Sequence, residues 1–257
     1  MHGFSWLYNP AMLNWFKKGF VLSVLLCLGL FSSYQTAAQT GQSFSILSPG
    51  ENSVVTAPIN IGALVVPGDG ELVRVILIDG QQNLLARQVL RVNAPAHTVV
   101  ELVTELAFEI PGETTSAILT IVTQDQANRP IAIRSVPLTL KSSGEGRITS
   151  QFEMEPWLTL HHPTPGAVIS QTPLYVAGSV KPINDRPVIF ELINEHGNAI
   201  ITRQLGVEQP GELIHFQIEL PYSPTPTIGD MRLVIRQTSD YPGIIAILDS
   251  VPITIVP

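Results

Sequence analysis

The chain has 257 residues, with 14 lysines and arginines against 21 aspartates and glutamates, for a net charge of −7. That acidic balance argues against nucleic acid and anionic membrane surfaces as partners, since both are bound through clustered basic side chains. A lone cysteine, Cys27, leaves no intramolecular disulfide and no thiolate metal site to build the fold around.

The N-terminal stretch reads as a secretory signal. Lys17 and Lys18 precede the apolar run Phe20 to Phe31, and a polar segment ending Thr36-Ala37-Ala38 follows. The run is shorter than the roughly 20 residues a helix needs to cross hydrocarbon. Small residues at Thr36 and Ala38 place cleavage before Gln39, so residues 1–38 are assigned as signal peptide. An uncleaved signal anchor is the alternative and would be the chain's one route to a membrane. Cleavage removes Cys27 and both leader lysines, leaving 12 basic against 21 acidic residues and only Lys141 and Lys181 as lysines. The expected location is extracytoplasmic, secreted or associated with the cell envelope.

From Phe44 to Leu140 short apolar runs alternate with Gly, Pro, Asn and Asp, the pattern of an all-β sandwich or barrel. Val73 to Ile78 is apolar on both faces and ends in the turn Asp79-Gly80, which predicts a hairpin. Between Val100 and Ile110, Val100, Leu102, Leu106, Phe108 and Ile110 share one face. Glu101, Glu105 and Glu109 share the other, so one side is buried and one is wet. Pro137 lies within the closing strand, where the missing N–H requires an edge or a bulge.

The chain then repeats itself. Ser135-Val136-Pro137-Leu138-Thr139 returns as Ser250-Val251-Pro252-Ile253-Thr254 at a shift of 115, and Pro58 and Pro67 return as Pro173 and Pro182 at the same shift. A β-patterned unit of about 100 residues copied once means two similar domains in tandem, because solenoid repeats are far shorter. The domains are placed at 43–140 and 157–257. Residues 141–156, which open Lys141-Ser142-Ser143-Gly144-Glu145-Gly146-Arg147, are read as a linker. In the second copy Val188 to Ile193, the turn Asn194 to Asn198 and the run Ala199 to Val207 predict another hairpin. Ile214, Phe216, Ile218 and Leu220 alternate with His215, Gln217 and Glu219 as the counterpart of the strand from Val100.

The Pro49-Gly50 turn, Val54-Val55 before Pro58, Ile61-Gly62 and the strand ending Asp79-Gly80 together resemble the immunoglobulin-like domain of bacterial spore-germination proteins. The second copy matches through Pro163, Val168, Ile169, Pro173, Val176, Ala177, Gly178, Gly197 and Ser239-Asp240-Tyr241-Pro242-Gly243. The resemblance implies two tandem immunoglobulin-like β-sandwich domains of a cell-envelope type without a catalytic site. It carries over a domain type, not a role in germination.

No chemical motif emerges. His161-His162 are adjacent on a strand, so their rings point to opposite faces and share no ion easily. The Gly-x-Ser-x-Gly elbow of a serine hydrolase is missing. Glu101, Glu105 and Glu109 stand about 13 Å apart in succession, a spacing unsuited to either glycosidase mechanism. Gly68-Asp69-Gly70 lacks the oxygens of a calcium loop and the lysine of a phosphate loop. Neither enzyme activity nor a cofactor is expected.

The expectation is a structural or interaction module whose partner is an envelope or extracellular protein, or a polysaccharide. Candidate contacts are the stiff segment Pro221 to Thr227, with Tyr222 as anchor and Pro224 and Pro226 limiting its freedom, together with Tyr241 and with Trp157, for which packing the linker against its domain is the commoner reading. A carbohydrate-binding protein is the alternative, with Trp157, Tyr222 or Tyr241 as the stacking surface.

Overall fold

The computed structural model describes residues 44–68, 70–94, 98–150, 156–223 and 228–257. The leader, the cleavage position before Gln39, Asp69, Pro224 and Pro226 lie outside the described residues. Among the described residues, alternating apolar residues bounded by turn residues form sixteen strands and no helix.

The first half contributes β1 (Ser45–Ser48), β2 (Ser53–Thr56), β3 (Ile59–Val65), β4 (Leu72–Asp79), β5 (Leu84–Arg91), β6 (Val100–Leu106), β7 (Thr114–Gln124) and β8 (Pro130–Lys141). The second repeats them as β9 (Leu158–His162), β10 (Ala167–Ile169), β11 (Leu174–Val180), β12 (Val188–Ile193), β13 (Ala199–Leu205), β14 (Ile214–Leu220), β15 (Gly229–Thr238) and β16 (Ile245–Ile255). In each half a three-stranded sheet, β1-β3-β6 or β9-β11-β14, faces a larger one, β5-β4-β7-β8 or β13-β12-β15-β16. A short strand, β2 or β10, adds in parallel to the closing strand. These are immunoglobulin-like sandwiches, whose inward-facing alternate residues from two sheets make the core.

Each half has its own core. Ile59, Ile61, Leu77, Leu119, Ile121 and Leu140 are fully buried in the first, and Leu174, Phe190, Leu192, Leu220, Leu233 and Ile235 in the second. Both expected hairpins form, as β4–β5 and β12–β13. β6 ends at Leu106 rather than at Ile110, although Phe108 stays buried and Glu101, Glu105 and Glu109 stay exposed.

The two larger sheets are one. β8 pairs antiparallel with β16 through Arg134↔Ile247, Ile133↔Leu248 and Ala132↔Asp249, giving a ten-stranded sheet across both halves. Each closing strand therefore changes neighbour along its length: its first part pairs with the other half and its last part with its own short parallel strand. Pro137 and Pro252 sit at the changeover. The Pro137 carbonyl accepts from Asn52 N–H at 3.0 Å and that of Pro252 from Gly166 N–H at 2.7 Å. N–H and C=O of one strand residue face the same side, so the absent proline N–H falls in the gap between neighbours, where no ladder bond is lost.

The segment after β8 is held to the first half at its start. Arg147 and Val54 exchange backbone hydrogen bonds of 2.7 and 2.8 Å, and Thr149 N–H donates to Ser53 Oγ at 2.9 Å. A Cβ on Gly146 would meet the Val54 carbonyl at 2.8 Å, so this close approach requires glycine.

Candidate functional site

Among the described residues, those singled out in the sequence do not converge on one surface. Tyr222, expected as the exposed anchor of the loop before β15, is buried at 8 % exposure. Its hydroxyl donates to the Gln171 carbonyl at 2.9 Å, and its own carbonyl accepts from Thr172 Oγ1 at 2.8 Å. Burial pushes its phenol pKa up. Tyr222 thus fastens the start of the loop to the corner before β11, and the reason is its amphipathic build: an apolar ring for the core and a polar tip for a carbonyl. Pro224 and Pro226 fall outside the described residues.

Trp157, a second proposed stacking residue, is likewise buried, at 5 % exposure. Its indole N–H donates to Asp249 Oδ2. Tyr241 is half-buried in the turn between β15 and β16, where its N–H donates to Ser239 Oγ at 3.2 Å. Next to it, the Pro242 carbonyl accepts from Gln82 Nε2 of the first half at 2.7 Å. A sugar platform of exposed aromatic rings is therefore not formed by these three. Among the described residues the exposed aromatic side chain is Tyr175, on β11.

Tyr175 belongs to the outer face of the second half's three-stranded sheet, with the His162 ring 6.0 Å away. A register shift between Ala177 and Gly178 makes His161 the bulged residue of β9. Gly178 permits this, since a Cβ there would meet the Thr159 carbonyl at 2.3 Å. His161, His215 and Gln217 consequently surround a shallow depression floored by Ala177 and Gly178. No three His, Asp or Glu side chains converge to hold a metal among the described residues. Periodicity placed His215 and Gln217 on the wet face but gave no sign of the bulge that brings His161 beside them.

The densest set of polar contacts lies at the seam between the halves. Arg134 on β8 is 7 % exposed; its Nη2 donates to Asp249 Oδ2 at 2.8 Å and its Nη1 to the carbonyls of Ile133 and Leu248 at 2.8 and 3.0 Å. The guanidinium lies 5.3 Å from the Phe44 ring centre and 6.0 Å from that of Trp157, so the opening aromatic of each half covers the same cation. Asp249 thereby ties together the closing strand of one half, the closing strand of the other and the entry to the second sandwich.

Around this pair the contacts repeat by symmetry. Ser135 Oγ bonds the Ile245 carbonyl at 2.7 Å, and Ser250 Oγ bonds the Pro130 carbonyl at 2.8 Å. Both serines and both carbonyls are related by the 115-residue shift. Ile133 and Leu248, also 115 apart, pair directly, which puts them on a local two-fold axis. At the rim the symmetry ends: Arg232 Nε of the second half donates to Asp125 Oδ2 of the first at 3.3 Å, beside Arg129 Nε at 2.8 Å. Burial raises the Asp125 pKa, but the Arg129 backbone N–H and guanidinium and the charge of Arg232 outweigh it, holding the carboxyl below its ordinary value.

No family model matches the chain, and no curated protein matches it. Among solved structures, red sea bream transglutaminase is similar over 84 % of this chain and 32 % of its own, at 12 % identity and a TM-score of 0.28. Escherichia coli alpha-2-macroglobulin activated by porcine elastase is similar over 84 % and 22 %, at 11 % identity and a TM-score of 0.26. GBS pullulanase in complex with maltotetraose follows over 75 % and 22 %, at 13 % identity and a TM-score of 0.18. The chain spans about a third or less of the length of these structures.

Proposed function

We propose that the chain is a non-enzymatic structural and interaction module, secreted or held at the bacterial cell envelope, that presents two immunoglobulin-like sandwiches as a single body. The observation that carries this reading is the ten-stranded sheet that joins the halves. A sandwich pair fused in this way offers a partner its inter-strand loops, its outer sheet faces and the free edges of β5 and β13. The export pattern around Lys17, Lys18 and Phe20 to Phe31 supports the location, and the resemblance to the spore-germination domain supports an envelope setting. The partner is a protein or polysaccharide of that compartment. The second half supplies the contact, through the connection that follows Tyr222.

Fractionation of the producing cell with N-terminal sequencing tests the location: a chain starting at Gln39 outside the cytoplasm is expected. Intact Met1 in the cytosol overturns it. For the contact, the connection from Ser223 to Ile228 is shortened in the full chain and envelope association measured. Reduced association with an unchanged circular dichroism spectrum is expected, and unchanged association removes this loop as the site.

A further inference from the structure

We propose that two copies of this chain dimerise in weak acid, the outer face of the first half's three-stranded sheet in each docking on the outer face of the second half's three-stranded sheet in the other. The two faces hold equivalent places in the repeat but carry unlike chemistry. β6 and β14 share one burial pattern, so Glu101 stands where His215 stands and Val103 where Gln217 stands. On the first face Glu101, Val103 and Glu105 point outward from β6 at alternate positions, and Val103 is 75 % exposed. β1 and β3 bring no charged side chain to that face. The second face has a floor of Ala177, Gly178 and Phe216, rimmed by His161 and His215. Its other titratable groups are His162 on β9, Tyr175 on β11 and Glu219 on β14. An apolar side chain between two carboxylates thus answers an apolar floor between two imidazoles.

Histidine is the side chain that gains charge as pH falls from 8 to 5, while exposed carboxylates stay ionised over most of that range. Near pH 6 the faces therefore attract, and at pH 8 the second face keeps only the charge of Glu219 and the attraction is lost. The occupant is a second copy because the arrangement closes. The two-fold axis through Ile133 and Leu248 relates antiparallel neighbours in one sheet, so it runs perpendicular to that sheet and leaves both three-stranded sheets on the same side of it. Both outer faces then look the same way, and one chain cannot lay the first on its own second. A second chain turned over about a two-fold axis between the molecules makes both contacts at once, leaving neither face open for further growth.

Sedimentation velocity of a chain begun at Gln39, which keeps every described residue, tests this in the presence of EDTA. A monomer is expected at pH 8 and a dimer at pH 6, with association at least about tenfold tighter at pH 6 and weakened by salt. Glu101→Lys/Glu105→Lys and His161→Glu/His215→Glu should each stay monomeric at pH 6. Their mixture should form the dimer, since the lysines of one variant then meet the glutamates of the other while the unaltered faces meet beside them. Glu145→Gln/Glu195→Gln, at exposed positions after β8 and in the β12–β13 turn, should dimerise as the parent does, separating the contact from loss of charge in general. A chain that stays monomeric at pH 6, equal association at both pH values, or a mixture that fails to associate while each variant keeps the parent circular dichroism spectrum overturns the proposal.

Discussion

Replacing Asp249 by alanine should loosen the seam more than any other single polar change. The substitution removes the acceptor of Arg134 Nη2 and of the Trp157 indole N–H together, leaving a cation that is 8 % exposed in its side chain without its counter-charge. Unpairing a buried charge costs roughly 3–5 kcal/mol. The lower end applies, about 3 kcal/mol, because Asp249 itself is 26 % exposed and two carbonyls still receive Nη1. Arg134→Met removes the cation and should cost less, about 2 kcal/mol, since the remaining carboxylate keeps the indole and reaches water. The double variant should fall short of the sum by about 1–2 kcal/mol, the signature of a direct interaction. Urea unfolding of a chain begun at Gln39 reads this out through Trp157, its one tryptophan, alongside far-ultraviolet circular dichroism. A loss below about 1 kcal/mol for Asp249→Ala, or strict additivity of the two changes, would refute the argument that this pair holds the halves together.

Three further outcomes are expected. The Asp125 carboxyl titrates lower in the folded chain than in the unfolded one, so its contribution is complete above the ordinary carboxylate value and is lost as pH falls through its folded pKa; urea midpoints measured from neutral pH into acid should decline there, and Asp125→Asn should flatten that decline. Ser135→Ala should cost about 1 kcal/mol for its hydroxyl-to-carbonyl bond across the axis, and Ser250→Ala more, because the Ser250 hydroxyl also accepts from buried Arg232 Nη1 at 3.0 Å; a urea-derived loss for Ser250→Ala no larger than that for Ser135→Ala would refute this. Phe216→Ala, which deletes a ring packed edge-on to Phe190 with centres 4.9 Å apart, should cost about 3–5 kcal/mol in the same assay.

The strands were legible because period-two burial is written locally: Ile214 to Leu220 could be read residue by residue, and β14 has those bounds. The same held for the turns at Asp79-Gly80 and Asn194 to Asn198. What a single strand's pattern does not contain is its neighbour. The repeated Ser-Val-Pro words announced a duplication but gave no hint that they lie across one axis from each other, since that requires knowing that β8 pairs with β16. Tyr222 shows the same limit in the candidate site. Flanked by prolines, it looked like an exposed anchor, yet its partners Gln171 and Thr172 are some fifty residues earlier, at a corner whose proximity only the fold creates. Trp157 reads from sequence either as a contact or, more commonly, as packing against its domain, and the structure takes the second course through an acid ninety-two residues later that no local pattern names.

Arg134 and Asp249 occupy equivalent positions in the two copies, yet bear opposite charges. In a pair of identical one-domain chains meeting along this strand, that position would face its own likeness, and either charge would repel itself. Joining both copies in one polypeptide lifts that restriction, because each position can then change alone. The outcome is a joint that tells left from right: the first sandwich fits the second better than either fits a duplicate of itself.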